Sequence, residues 1–400
     1  MKKILLSVLL VALPLIVAAQ AVSISGRVVD AQSGTPLESV LVSSGANGPS
    51  TVTNADGDFT LKSETPLAFL SFSYLGYATV RLAPSDNPLK VKMYRQAYDL
   101  SEARIITGNP YEIVRAAREM IPANYSQDLE TLLSFYRETV RKRQKFVYVS
   151  EAVAKLNKHP YSVNVFNDRA ALVKSRILVS QKKSDTLMVK TLGGPTQAIL
   201  LDVVKNPPML LDEYELQKYR LVIDKPQYLD GRAQFVIRLS PATQSTYPLY
   251  YGTLFIDQER MSFTRIELSM DMANTETVTS TILKQKPAGL RFKPLEVSLI
   301  LNYHTEEDVT RLSYLKNTMR FTCDMKKRLI STDFTVVNEL VVTERIMPVI
   351  PIGRNEVFRS SDALEDKAAL FSDPAFWDDY NIIEPSESLE HAIGRLKRGR

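Results

Sequence analysis

Few residues in this chain are of types that do chemistry. The run His304-Thr305-Glu306-Glu307 gives His304 and Glu307 the His-x-x-Glu spacing that can hold zinc, with His391 as a conceivable third ligand. His159, His304 and His391 are the only histidines, so a chance match needs little luck. Charged neighbours also suit His304 to a solvated strand-to-turn junction. The carboxylate pairs Glu306-Glu307 and Asp378-Asp379 are adjacent in sequence; adjacent strand residues point to opposite faces, so neither implies a catalytic dyad. There is no Gly-x-Ser-x-Gly elbow, P-loop or dinucleotide fingerprint. Gly193-Gly194-Pro195 precedes a helical stretch, where a plain turn explains it better than an anion site. Cys323, the only cysteine, lies in a strand-like run beside Phe321, Thr322 and Met325 and reads as a buried structural thiol. No catalytic, metal or cofactor residue is therefore expected.

The elements that would position these residues are mostly strands. Residues 22–96 consist of short alternating runs separated by turns, from Val22–Asp30 through Leu67–Phe72 to Leu89–Met93, which predicts six or seven strands in a small antiparallel β-sandwich. Asn54-Ala55-Asp56-Gly57-Asp58 is expected to be a hairpin turn, with Gly57 supplying a positive φ. Asp56 and Asp58 are ordinary turn residues, and the other ligand positions of a calcium loop are missing.

The order of these pieces is more specific than their pattern. Ile24-Ser25-Gly26-Arg27-Val28-Val29-Asp30, Gly34-Thr35-Pro36-Leu37, Thr53-Asn54-Ala55-Asp56-Gly57-Asp58-Phe59 and Phe72-Ser73-Tyr74-Leu75-Gly76-Tyr77 follow one another as in the carboxypeptidase regulatory-like domain, which this fifth of the chain resembles. The resemblance implies a transthyretin-like β-sandwich that binds or braces rather than catalyses. That domain also precedes the plug of many TonB-dependent receptors, and Leu100-Ser101-Glu102-Ala103 echoes the stretch before a plug, but no plug-like or barrel-like sequence follows. The zinc carboxypeptidases share the His-x-x-Glu spacing, yet the α/β pattern they need is absent.

Residues 97–130 read as a helical connector: Asn109 caps, Pro110 opens the helix, Glu112 answers the cap, and Ile113, Ala116, Ala117 and Met120 form one apolar face. Residues 131–346 carry long alternating runs, with a charged turn at Arg141-Lys142-Arg143-Gln144-Lys145, a hairpin at Asp230-Gly231 and one helix near Thr196–Val204. They predict a large curved antiparallel sheet or half-barrel, so the whole chain is expected to be mainly β. The strand Gly252–Asp257 with its return strand is similar to outer-membrane lipoprotein carriers; this implies either an open apolar concavity for lipid or peptide, or one filled by a helix and the tail. Residues 347–400 form an extended tail and a last helix over Ser386–Lys397. Phe376, Trp377 and Tyr380 either anchor this tail to the sheet or serve as a partner-binding motif.

Composition sets the class. Hydrophobic residues at 44% and charged residues at 24% describe a chain with a core, not a disordered one. The formal charge of +5, two of it from Lys2 and Lys3, gives no electrostatic case for nucleic acid. Lys2-Lys3, the apolar run Ile4–Val17 and Ala19-Gln20-Ala21 read as a signal peptide over residues 1–21, and no second stretch is long and apolar enough to span a membrane. The sequence thus predicts an exported, periplasmic or outer-membrane-associated, non-catalytic protein that binds or braces an envelope protein, peptide or lipid. A periplasmic lipid or lipoprotein carrier is the first alternative, and a zinc-dependent hydrolase the second.

Overall fold

The computed structural model describes residues 22–96, 108–185, 192–283, 288–325, 331–367, 369–370, 377 and 379–398. Residues 1–21, read above as a signal peptide, Leu100–Ala103, Phe376 and Asp378 lie outside them. The protein is mainly β, as its alternation predicts.

Seven strands form the N-terminal body: β1 (Val22–Asp30), β2 (Leu41–Ser43), β3 (Ser50–Val52), β4 (Asp58–Ser63), β5 (Leu70–Ser73), β6 (Val80–Leu82) and β7 (Leu89–Met93). They make two sheets, ordered β4-β1-β7 and β3-β2-β5-β6, which enclose Ile24, Val28, Val42, Phe59, Leu61, Phe72 and Val91. Two details differ from expectation. β1 pairs with β7 in parallel. The Asn54–Asp58 turn is not a hairpin, because β3 and β4 belong to different sheets and the turn crosses between them. Gly57 does take φ +77°; an added Cβ would also lie 2.4 Å from the Val28 carbonyl oxygen, so both conformation and space demand glycine here.

The family-motif residues Asp30 and Tyr77 tie the sandwich together. The Asp30 carboxylate accepts from Ser33 N, Gln32 N, Tyr77 Oη and Arg95 Nε. The Ser33 amide, then Tyr77 and Arg95, hold it well below the usual carboxylate range.

After helix α1 (Pro110–Glu119) and the single turn α2 (Ile121–Asn124), the chain forms ten antiparallel strands: β8 (Glu130–Lys142), β9 (Lys145–Lys158), β10 (Arg169–Val179), β11 (Tyr219–Leu229), β12 (Arg232–Pro241), β13 (Tyr250–Asp257), β14 (Phe263–Met270), β15 (Leu290–Glu306), β16 (Val309–Met325) and β17 (Asp333–Ile346). Their order is β11-β12-β13-β14-β15-β16-β17-β8-β9-β10, and the two-residue β18 (Ala369–Leu370) adds in parallel beyond β10. The sheet is open, since β11 and β18 are its two edges. Asn109 caps α1 by accepting from Tyr111 N at 3.1 Å, as predicted. The apolar face of α1 is rotated, however: Ile113, Val114 and Ala117 are buried and Met120 is 40% exposed. Contact with β11, where Tyr111 Oη donates to the Tyr219 carbonyl at 2.6 Å, sets that rotation.

Period-two alternation gives the sheet two apolar faces. Leu132, Tyr136, Ala152, Leu156, Leu301, Leu315 and Leu340 lie on one face, and Leu133, Phe135, Val153, Tyr314 and Val341 on the other. The first face is not open. α1 covers part of it, together with residues 194–216, which hold α3 (Gly194–Leu200) and α4 (Glu213–Leu216) and insert Ala198, Ile199, Val203, Val204, Leu210 and Leu211. Helix α5 (Thr275–Ile282) closes the far end, where Ile282 and Leu283 pack near Leu290, Phe292, Phe321 and Phe334. The tail takes part as well: Phe358 and Leu364 join the cluster on this face, while Trp377, Ile382 and Ile383 farther along lie on the opposite one. Among the described residues no helix is long and apolar enough to cross a membrane.

Candidate functional site

The second face of the sheet receives the sandwich, with the tail wedged between them. Trp377 is 5% exposed and meets Phe135 edge-on, ring centroids 5.7 Å apart. Beneath it lies a buried ion triad: Arg137 Nη2 and Arg176 Nη2 each stand 2.7 Å from a Glu151 oxygen. Burial pushes the Glu151 carboxyl up, but the two guanidinium groups outweigh it and hold it below the ordinary range. Arg137 Nη2 also donates to the Ile383 carbonyl at 2.6 Å.

From the other side, the sandwich grips the same segment. Thr51 Oγ1 donates to the Ile382 carbonyl, Asn54 Nδ2 to the Pro385 carbonyl and Lys62 Nζ to the Trp377 carbonyl. Asn381 places its amide against the edge of β4, accepting from Lys62 N at 2.7 Å and donating to Lys62 O at 2.9 Å, as a neighbouring strand would. Asp56 accepts from Glu387 N at the start of helix α6 (Glu387–Arg398), so this turn residue is spent on a helix end. Tyr380 is half-buried on the same cluster as Trp377.

Beside this junction the two bodies leave a cleft of about 1020 Å³. Its floor is the polar outer face of β2, β5 and β6, where Ser43, Ser71 and Arg81 lie in register. Its walls are the β11–β12 turn at Leu229–Arg232 and the β15–β16 turn at Tyr303–Glu307. The β11–β12 wall is fixed to the sandwich, since Gly76 N donates to the Tyr228 carbonyl at 2.8 Å and Thr79 Oγ1 to Asp230 Oδ1 at 2.8 Å. Arg81, Arg232, Asp257, Glu306 and Glu307 bring charges of both signs to the cleft. Arg232 Nε is 3.0 Å from Asp257, the Arg81 guanidinium sits 5.2 Å from the Phe69 ring centroid, and His304 Nε2 is 3.3 Å from Glu306. This lining offers hydrogen bonds and charges of both signs at fixed positions, which suits recognition of a polar segment.

His304 and Glu307 both belong to this cleft, while His391 lies on α6, which packs on β9 and β10. Four strand spacings separate β15 from β9 in the sheet, about 19 Å. The three residues are therefore not brought together, and among the described residues no group of His, Cys, Asp and Glu could hold a metal ion. Cys323 is buried, and burial pushes its thiol up to about 11. Gly193 has φ +89° and donates its N–H to the Asp362 carbonyl, and Thr196 of α3 bonds the Phe358 carbonyl, so this turn is internally satisfied.

One polar cluster escaped the sequence reading. Asp202, in the segment that fills the apolar face, meets Lys158 Nζ at 2.8 Å, Tyr303 Oη at 2.8 Å and Tyr161 Oη at 3.0 Å. Lys158 and Lys205 share Asp168, at 3.0 and 2.5 Å. Burial, then Lys158, pulls the Lys205 ammonium down to about 8. The cluster latches residues 194–216 to the sheet. It is closed to solvent, with Lys158, Asp168, Asp202 and Lys205 all nearly fully buried. Its members look like ordinary surface charges in sequence, and nothing in their spacing marks them.

Comparison with known proteins agrees with the first body. Residues 24–104 match the family model of the CarboxypepD_reg-like domain. None of the curated proteins matches this sequence. Among solved structures, a domain named for outer membrane lipoprotein sorting from Vibrio parahaemolyticus aligns with 11% identity over 62% of this chain and 94% of its own, at a TM-score of 0.26. A LolA superfamily protein from Nitrosomonas europaea aligns with 10% identity over 61% of this chain and 96% of its own, at 0.21. The MucA/MucB complex from Pseudomonas aeruginosa gives 10% identity, 58% and 93% coverage, and 0.19. Scores this low transfer neither site nor ligand.

Proposed function

We propose that this chain, which joins a CarboxypepD_reg-like domain to a large open sheet, is a non-catalytic cell-envelope protein that binds an extended polar segment of a partner protein in the cleft between its two bodies. The observation that carries the reading is the cleft itself. It is built from both bodies and lined with charges of both signs, Arg81 and Arg232 against Asp257, Glu306 and Glu307. The apolar face that a lipid carrier would offer is filled by residues 194–216, α1 and α5. Carriage of lipid would require those segments to leave.

Photo-crosslinking in cells tests the proposal. A crosslinkable residue replacing Arg81 or Leu229 captures a discrete partner, whereas one replacing the exposed Tyr251, outside the cleft, does not. Capture from Tyr251 alone, or from no position, overturns it. So does stoichiometric uptake of a fluorescent fatty acid by delipidated protein with no crosslink in the cleft.

A further inference from the structure

Three segments far apart in sequence bring their cations to the end of the sheet away from the cleft. The β8–β9 turn carries Arg141, Lys142, Arg143 and Lys145, with Arg143 and Lys145 exposed. The loop after β10 adds exposed Lys182 and Lys183, and it is fastened to the turn because Lys142 Nζ donates to Ser184 O and lies 3.4 Å from Asp185. Helix α6 points its last turn to the same place. Leu389, Ile393 and Leu396 pack with Val149, Leu178 and Phe146, and Arg395 Nη2 donates to the Phe146 carbonyl at 3.2 Å, leaving Arg395, Lys397 and Arg398 on the surface.

Among the described residues, Asp185 and Asp333 are carboxylates beside these cations. Asp185 is spent on Lys142 and on the Ser180 hydroxyl, and Asp333 beside Arg143 adds one exposed carboxylate. The chain as a whole is nearly balanced, 50 basic residues against 45 acidic, so this concentration is local. Apolar surface accompanies it: Met325, at the end of β16 two strand positions from β8, is 42% exposed, and Phe146 is half-buried beneath Arg141 at 5.3 Å.

We propose that this end of the protein docks on an anionic lipid surface, with the lysines and arginines on headgroup phosphates and Met325 at the acyl boundary. A bilayer fits better than nucleic acid or an acidic protein because the cations come from three short, separated projections with an apolar side chain beside them. Three separate projections suit a planar array of headgroups, which long basic side chains can reach from different elements. The cleft stays free of the membrane, so docking and partner binding are separable.

Sedimentation of the full chain with vesicles tests the proposal. Binding is expected to phosphatidylcholine vesicles containing phosphatidylglycerol, not to phosphatidylcholine alone, and is lost in molar salt. Each cation near a charged surface contributes about fivefold in partitioning, so the combined change Arg143→Glu, Lys145→Glu and Lys183→Glu weakens binding on the order of 100-fold. Lys90→Glu with Lys92→Glu, on exposed positions of β7, leaves binding unchanged. Should the triple variant fail to fold by circular dichroism, the single changes Arg143→Gln and Lys183→Gln are each expected to weaken binding severalfold. Equal binding to neutral vesicles, no binding to phosphatidylglycerol, undiminished binding of these variants, or retention on heparin without vesicle binding each overturns the proposal. Arg81→Glu in the cleft leaves vesicle binding intact, so failure of one proposal is distinguishable from failure of the other.

Discussion

Trp377 and Glu151, 226 positions apart in sequence, are joined by an indole N–H donated to a carboxylate oxygen at 3.1 Å in the seam between sandwich and sheet. The Arg176 guanidinium also lies 4.9 Å from the Trp377 ring centroid. One side chain thus completes an ion triad, caps an aromatic contact and pins the tail.

Replacing Trp377 with alanine is expected to cost about 3 to 5 kcal/mol, the usual loss for a large buried aromatic. Trp377→Phe keeps most of the packing but withdraws a donor from Glu151 and costs about 1 to 2 kcal/mol. Urea denaturation measures both. As Trp377 is the only tryptophan, a blue-shifted emission in the wild type that reddens together with global unfolding is expected. Reddening well before it would show that the tail is not part of the cooperative unit.

Glu151→Gln leaves Arg137 and Arg176 buried without their counter-charge and is expected to destabilise by about 3 to 5 kcal/mol. The native carboxyl titrates below its unfolded value of about 4.3, so the unfolded chain takes up the proton first as pH falls. The stabilisation is complete above about pH 5 and disappears as acid reaches the native pKa. The same denaturation, repeated from neutral pH downward, should show an acid-induced decline that is smaller in Glu151→Gln than in the wild type.

Asn381→Ala removes both hydrogen bonds to the Lys62 backbone and exposes the edge of β4. A loss of about 1 to 2 kcal/mol is expected. The amide of Lys62 should also exchange with deuterium much faster, which hydrogen-exchange mass spectrometry can localise; unchanged protection there would mean that the edge is guarded by something else.

Lys205 responds to base in the opposite sense from most buried groups. Its native pKa is about 8 against an unfolded value of about 10.4, so between these the unfolded chain holds the proton and the native one does not. Stability therefore rises from about pH 8 towards pH 10, where the buried tyrosines around Asp202 have not yet ionised. Lys205→Met should flatten that slope, and an equal slope in the variant would assign it elsewhere.

What could be read from sequence was local. The strands of both bodies, the Asn109 cap and the glycine in the Asn54–Asp58 turn follow from alternation and turn chemistry over a few residues. The destination of that turn did not follow, because which sheet a strand joins depends on partners far along the chain. The same limit hid the cleft. His304 was legible as a turn residue, but its neighbours Arg81, Phe69 and Arg232 come from other elements. Residues 194–216 were legible only as one short helix, since a plug is apolar on the side that meets the sheet and irregular elsewhere. The buried set Lys158, Asp168, Asp202 and Lys205 carries no pattern at all.

In the sheet, β8 lies beside β17, with Thr131 opposite Ile346. The first long strand is therefore zipped to the last, and every strand between them hangs in a loop of some two hundred residues until that pairing forms. Closing such a loop is entropically slow and cannot begin before the late strand exists. The full-width sheet is therefore assembled only once the chain through β17 has been made, whereas the sandwich and the local hairpins need no such wait.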